Sequence, residues 1–178
     1  ISRMLSVFLG VQSGKTVACA LRLSKLVQDN PGKKFGITAP NLPHLKRVPL
    51  AIFIEIIKLW GLVEGKEENW HNKTEKVLFP ANGAKIYYVG AEDPESLKGL
   101  TLKAFWADEA QLLDVGENAI PGRTYEVMKQ RTTVERGQVI ISGLIPNPSE
   151  LAGHWLYEEI FLPSQKGDKD FSLFQFHS

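Results

Sequence analysis

Short apolar runs alternate along this chain with longer segments in which apolar residues recur every three or four positions. The apolar runs predict buried strands at residues 4–9, 35–39, 102–107 and 138–143, and a weak alternation predicts a last strand at 171–176. The periodic segments predict helices at residues 14–28, 43–60, 118–130 and 153–161. This order is typical of an α/β domain in which helices cover both faces of a mainly parallel sheet.

A different pattern interrupts the series between residues 69 and 90. Two β-prone runs, 69–80 and 84–90, are joined through Asn82-Gly83, the dipeptide that most strongly favours a hairpin turn. The sequence therefore predicts a β-hairpin inserted into the sheet.

The first predicted strand leads into a glycine-containing loop, and the loop leads into the first predicted helix. A phosphate-binding loop requires this order, because backbone N–H groups of the loop and of the helix N-terminus bind phosphate oxygens. The strict pattern has glycine where this chain has Leu9, so an ordinary turn before a helix is the alternative. The candidate phosphate-binding residues are Gly10, Gln12, Ser13, Gly14, Lys15 and Thr16.

Two adjacent acids, Asp108 and Glu109, follow the apolar strand predicted at 102–107. In phosphate-loop enzymes a carboxylate at such a strand end holds Mg²⁺ together with the loop hydroxyl, here that of Thr16. We expect Asp108 to face the metal and Glu109 to orient and deprotonate the attacking water as a general base. A solvated strand end is the alternative, but the loop and the acids together favour an ATP-hydrolysing core with an extra glutamate. The chain has no Asn-Lys-x-Asp segment for guanine, which favours ATP over GTP.

Several polar residues carry weaker signals. Ser142, at the end of the strand predicted at 138–143, is a candidate sensor of the γ-phosphate, although it could be a plain strand end. Four basic residues are candidate donors of positive charge to a transition state, in this subunit or a neighbouring one, and the alternative for each is a solvated surface charge: Lys98, Arg123, Arg131 and Arg136.

Composition narrows the class of protein. The 178 residues suit a single domain, and 43% hydrophobic with 23% charged residues is ordinary for a soluble globular protein. A net charge of +1 restricts any nucleic-acid surface to a local patch. The single cysteine, Cys19, is predicted to pack in a helix, and no apolar segment is long enough to span a bilayer. The four histidines lack partners at ligand spacing, so no zinc site is expected.

One stretch also resembles a known family. The segment from Ser96 to Thr101, followed by Ala104-Phe105-Trp106-Ala107-Asp108-Glu109-Ala110, is similar to the second nucleotide motif of the tailed-bacteriophage terminase large subunit. The segments around Ile37, Ile86, Ile140 and Gly153 resemble that family's second strand, its hairpin, its coupling motif and the helix after it, so the resemblance covers nearly the whole chain.

The resemblance implies a P-loop ATPase of the RecA-like type with an additional strand and a catalytic glutamate. It further implies an Mg²⁺-dependent motor that pumps double-stranded DNA into a procapsid, as a ring of subunits at the portal, with a terminase small subunit and the portal protein as partners. The location would be the host cytoplasm. The family's C-terminal nuclease domain has no counterpart in these 178 residues, which we interpret as one motor domain.

Two positions depart from the family's pattern. The family usually has arginine where this chain has Val11, so the loop lacks one positive charge. Lys98 stands where the family often has an arginine proposed to act on a neighbour's nucleotide, and lysine keeps the charge but not the bidentate geometry. Two further hypotheses stay open at this point: a helicase-like nucleic-acid ATPase, and an assembly module that binds ATP but hydrolyses little of it.

Overall fold

Eight strands form a single sheet in the computed structural model, which describes residues 3–8, 13–114, 122–144 and 154–175. The strands are β1 (Met4–Phe8), β2 (Lys34–Ala39), β3 (His71–Asn72), β4 (Val77–Leu78), β5 (Lys85–Gly90), β6 (Ala104–Ala107), β7 (Gln138–Gly143) and β8 (Phe171–Gln175). Their order across the sheet is β3-β4-β5-β2-β6-β7-β1-β8.

Six neighbouring strands, from β5 to β8 in that order, are mutually parallel, whereas β3 and β4 are antiparallel additions at one edge. Strand β7 lies between β1, which leads into the glycine loop, and β6, which leads into the two acids. Because these strands are parallel, their carboxyl ends meet at one edge of the sheet. The predicted mainly parallel α/β fold is confirmed.

The helices are α1 (Lys15–Asp29), α2 (Leu42–Arg47), α3 (Pro49–Leu59), α4 (Arg123–Thr133) and α5 (Leu162–Gln165), which continues a π-helical turn, Tyr157–Phe161. Helices α1, α2 and α3 pack on one face of the sheet, in a core that includes Trp106 and Ile140. Helix α4 and the π-helical turn pack on the other face, in a core that includes Phe105 and Ile141. Both faces are therefore covered, as predicted. No described helix has the length and apolar character needed to cross a membrane.

The helix predicted at 43–60 is wrong as a single element, because the structure divides it into α2 and α3. Val48 lies between them with φ −119° and ψ −77°, and Pro49 opens α3. Proline has no N–H to continue the hydrogen-bond ladder, and its ring disfavours helical geometry at the preceding residue. The predicted stop at Gly61 is confirmed, since Gly61 has φ 65° and the N–H of Leu62 donates to the carbonyl of Ile57.

The predicted hairpin through Asn82-Gly83 is confirmed by the antiparallel pairing of β4 with β5. Its first arm is not one strand, because a turn separates β3 from β4. The side chain of Asn72 accepts hydrogen bonds from the N–H groups of Thr74 and Glu75, at 3.1 and 3.0 Å. This side-chain turn competes with the sheet ladder and explains the break.

Most other predicted boundaries agree with the structure to within two residues, but the helices predicted to end at 130 and 161 continue to Thr133 and Gln165. Helix α4 begins later than predicted, at Arg123 behind the left-handed Gly122, and residues 118–121 of the prediction lie outside the described residues. The predicted ends at positions 9, 153 and 176 also fall outside them.

Candidate active site

The start of helix α1 lies at the carboxyl end of β1. Gly14 precedes the helix with φ 79° and ψ 9°, a left-handed conformation that favours glycine. Lys15 is the first helical residue, and its side chain is only 8% exposed. Ser13 is exposed beside the helix start, whereas Gly10 and Gln12 lie outside the described residues. The described half of the predicted phosphate loop therefore has the glycine turn and helix start that such a loop requires.

Two side chains from separate elements, α1 and β7, donate hydrogen bonds to the buried carboxyl group of Asp108. Thr16, from the first turn of α1, donates its hydroxyl to Asp108 at 3.3 Å from Oδ1 and 3.4 Å from Oδ2. Ser142, from β7, donates to Asp108 Oδ1 at 2.5 Å. The indole Nε1 of Trp106 donates to Ser142 Oγ at 2.9 Å and so orients the Ser142 hydroxyl towards Asp108. The structure thus brings together residues that are 92 and 34 positions apart in the sequence.

Burial raises the pKa of Asp108, and the charge of Glu109 raises it further. The hydrogen bonds from Ser142 and Thr16 and the positive charge of Lys15 act in the opposite direction but do not cancel the effect of burial. The ionised form of Asp108 is therefore disfavoured in this structure, and a cation at its carboxylate would relieve that cost.

The backbone turns at Glu109 and sends the second carboxylate elsewhere. Glu109 has φ 51° and ψ 48°, an uncommon left-handed conformation for a non-glycine residue. Its Oε1 lies 3.7 Å from Lys15 Nζ, and its side chain is 22% exposed. The two adjacent acids therefore have different partners, since Asp108 accepts from the Thr16 hydroxyl and Glu109 lies beside the Lys15 ammonium group.

Gln111 contacts this site although no sequence signal singled it out. Its Nε2 donates to Glu109 Oε2 at 2.5 Å, and its Oε1 accepts from the N–H of Leu144 at 3.0 Å. The only local hint was its position two residues after Glu109. The contact with Leu144 depends on β7 lying beside β6, which the sequence alone did not establish.

Cys19 is buried one turn further along α1, as predicted. Burial raises the pKa of its thiol to about 12, although a hydrogen bond with Ser142 lowers it. The thiol is therefore neutral and packs beneath the cluster around Asp108.

The predicted charge donors lie elsewhere. Lys98 and Arg123 both pair with Glu95, at 2.5 and 2.7 Å, and the side chain of Lys98 is 71% exposed. Arg131 contacts Gln130 near the end of α4. Arg136 lies in the turn before β7, at the edge of the sheet opposite the acids. Within the described ranges, no contact joins these four residues to Lys15, Asp108 or Glu109.

The donor atoms at the cluster fit Mg²⁺. The Thr16 hydroxyl and the Asp108 carboxylate are oxygen ligands, and protein sites for Mg²⁺ commonly supply one or two such ligands while phosphate and water supply the rest. The described residues contain no group of three or more His, Cys, Asp or Glu side chains that could enclose a metal by themselves.

Solved structures similar to this chain are large terminases of bacteriophages. A large terminase of a thermophilic bacteriophage, in complex with ADP, matches with a TM-score of 0.77 and 16% identity, over 98% of this chain and 40% of that protein. The HK97 large terminase matches with a TM-score of 0.74 and 13% identity, over 99% of this chain and 36% of that protein. The large terminase ATPase domain of Thermus phage P74-26 matches with a TM-score of 0.63 and 19% identity, over 88% of this chain and 63% of that domain.

The fold is that of a large-terminase ATPase domain. The predicted P-loop fold of the RecA-like type, with an additional strand between β1 and β6, is thereby confirmed. This chain spans about two fifths of the length of the thermophilic phage terminase. No protein-family model and no curated protein matches the sequence.

Proposed function

We propose that this chain is the ATP-hydrolysing domain of a motor that drives double-stranded viral DNA into a procapsid. The observation that carries the proposal is the meeting of Lys15, Thr16, Asp108, Glu109 and Ser142 at the carboxyl edge of the sheet. The large-terminase fold supports the choice of DNA packaging among the uses of such a site.

In the proposed mechanism the residues from Gly10 to Thr16 hold the phosphates of ATP. Lys15 leaves its 3.7 Å contact with Glu109 and binds the outer phosphates, where its charge stabilises the transition state. Thr16 and Asp108 would hold Mg²⁺, which neutralises charge on the phosphate oxygens when it is bound. The loss of Lys15 as a partner leaves Oε1 of Glu109 free to accept a proton from water.

Glu109 acts as the general base that orients and deprotonates the attacking water. Ser142 contacts Asp108 and lies on the strand between the loop and the acids, which suits a residue that senses the γ-phosphate. Lys98 is the proposed trans-acting charge, and its exposed ammonium group could reach a neighbouring subunit after exchanging its Glu95 partner. We further propose, from the terminase fold, that the chain assembles as a homo-oligomeric ring at the portal. Its other partner would be a terminase small subunit, and its location the host cytoplasm.

The test is DNA-stimulated ATP turnover in Glu109→Gln. We expect turnover to fall by about 100-fold or more, because general-base catalysis contributes on that order, while ATP binding persists. Glu55→Gln is a matched control, since Glu55 is an exposed glutamate on α3. Equal turnover in Glu109→Gln and the parent protein would contradict the mechanism.

Two other outcomes would favour the alternatives. Strand separation of a duplex in the absence of capsids would support a helicase-like ATPase. Normal ATP binding without turnover, even in an assembled ring, would support an assembly module, for which the valine at position 11 is the motivation.

A further inference from the structure

Hydrogen bonds link both acids of the candidate site, Asp108 and Glu109, to the carboxyl end of β7. Ser142 holds Asp108 directly. Glu109 is held indirectly, because Gln111 bridges its carboxylate to the backbone N–H of Leu144, the residue after β7. Ser142 in β7 therefore contacts Asp108 through its hydroxyl. Leu144, just after β7, is linked to Glu109 through the side-chain amide of Gln111.

The amide of Gln111 has one orientation that satisfies both contacts. Its NH₂ group donates to the Glu109 carboxylate, and its oxygen accepts from the Leu144 N–H. The reverse orientation would place oxygen against a carboxylate and NH₂ against N–H, so the hydrogen-bond network assigns the amide.

The surface of β7 is shaped to admit this amide. A Cβ atom at Gly143 would come within 2.5 Å of Gln111 Oε1, closer than side-chain atoms pack. Glycine at this position, between Ser142 and Leu144, therefore lets the amide approach the strand.

We propose that Gln111 is a positioning residue, which fixes the Glu109 carboxylate and links its orientation to the end of β7. The inference rests on the proposed function, in which Glu109 is the general base. Once Lys15 has moved to the phosphates, Gln111 is the side chain in the described part of the protein that still holds Glu109. A displacement of the β7 end reaches Glu109 through Leu144 and Gln111, so Gln111 couples that strand to water activation.

The primary test is Gln111→Met, which keeps the length of the side chain and removes both hydrogen bonds. We expect kcat to fall by roughly 10- to 100-fold, the range for losing a hydrogen bond to a charged group, while KM for ATP is unchanged. Gln28→Met is the matched control, because Gln28 is exposed on α1. A parental kcat in Gln111→Met would overturn the proposal.

A second variant separates the two hydrogen bonds of the amide. Gln111→Glu retains an acceptor for the Leu144 N–H but sets a second carboxylate against Glu109. We expect the amide resonance of Leu144 in an NMR spectrum to stay near its parental position, while kcat falls at least as far as in Gln111→Met. Parental turnover in Gln111→Glu, with the Leu144 resonance retained, would show that donation to Glu109 is unimportant and would overturn the proposal.

A double mutant distinguishes positioning from a general structural role. If Gln111 acts through Glu109, adding Gln111→Met to Glu109→Gln changes the residual turnover by less than about twofold, which is the usual scatter in the additivity of two mutations. Equal losses in both backgrounds would mean a structural role and would overturn the inference. A parental rate in Glu109→Gln contradicts the proposed function itself. An impaired Glu109→Gln beside a parental Gln111→Met rejects this inference alone.

Discussion

Two clusters of polar side chains, one around His71 and Tyr88 and one at the ends of β6 and β7, differ in burial and in how their polar groups are paired. On β5 the buried Tyr88 hydroxyl lies 2.8 Å from His71 Nε2, and His71 Nδ1 lies 2.9 Å from a carboxylate oxygen of Glu67. Every polar atom of the imidazole ring thus has a partner. Hydrogen bonds from Lys73 and His71 lower the pKa of Glu67, so its charged form suits this cluster. We call this set of side chains, Glu67, His71, Lys73 and Tyr88, the closed cluster, because its polar groups pair with one another.

In the cluster at the ends of β6 and β7, hydrogen bonds within the cluster do not offset the burial of its central carboxylate. Asp108 accepts hydrogen bonds from Thr16 and Ser142, yet burial still raises its pKa. The charge of Lys15 lowers the pKa of Asp108, but the ion-pair contact of Lys15 is with Glu109. A closed network stabilises a fold, whereas a carboxylate kept buried against its preference is typical of a site that receives a ligand. The buried Asp108 carboxylate, with its raised pKa, therefore distinguishes the candidate site from the polar packing around His71.

The largest effect is expected from removing the ammonium group of Lys15, the cation of the cluster at the ends of β6 and β7. In Lys15→Ala we expect ATP binding to be weakened and turnover to fall by about 100-fold or more, because a charge aimed at the outer phosphates is lost. Lys25→Ala is the control on the same helix, where Lys25 pairs with Asp29 at the surface. The measurement is binding of a fluorescent ATP analogue together with turnover. Unchanged binding in Lys15→Ala would show that the helix start is not a nucleotide site.

The next largest effect is expected from Asp108→Asn, in which activity and stability move in opposite directions. Turnover should fall by about 100-fold as the carboxylate that would hold Mg²⁺ is lost. The folded-state pKa of Asp108 is raised, so the folded protein retains a proton that the unfolded chain releases. Stability of the parent protein therefore decreases as the pH rises from the ordinary aspartate value through the raised one, and the amide removes that decrease.

Thermal unfolding measured across this pH range tests the stability half of the prediction. We expect Asp108→Asn to have the higher Tm at neutral pH and the flatter dependence on pH. Asp93→Asn is the control, because Asp93 is exposed. A lower Tm in Asp108→Asn at neutral pH would mean that the carboxylate stabilises the fold and that the two clusters do not differ as described.

Local signals were enough to predict most of the fold and half of the site. Apolar runs located the parallel strands, and Lys15, Thr16, Asp108 and Glu109 were predicted as neighbours from a loop and a strand end. The break at Val48 was visible in the sequence, since Pro49 stands inside the predicted helix. It was missed because apolar periodicity continues across it.

The other half of the site depends on which strands lie side by side. Gln111 and Leu144 are 33 positions apart, and they meet because β6 and β7 are neighbours. His71 and Tyr88 likewise meet only after the chain has turned twice through β4 and β5. Such pairs have no local pattern, because neither partner has a composition or spacing that identifies the other. The role predicted for Lys98 stays a prediction, since its ion pair with Glu95 neither uses nor excludes a neighbouring subunit.

The smallest effect is expected in the closed cluster, which contains His71 and Tyr88. Tyr88→Phe removes the hydroxyl from His71 and should lower the free energy of unfolding by about 1 kcal/mol, the usual value of one hydrogen bond. The corresponding decrease in Tm is roughly 2–4 °C. ATP turnover should be unchanged, because β3 and β5, which carry His71 and Tyr88, are separated in the sheet by β2, β6 and β7 from β1, the strand that precedes Lys15. Tyr157→Phe is the control, since Tyr157 is only partly buried. A loss of turnover together with stability would mean that the closed cluster also serves the site.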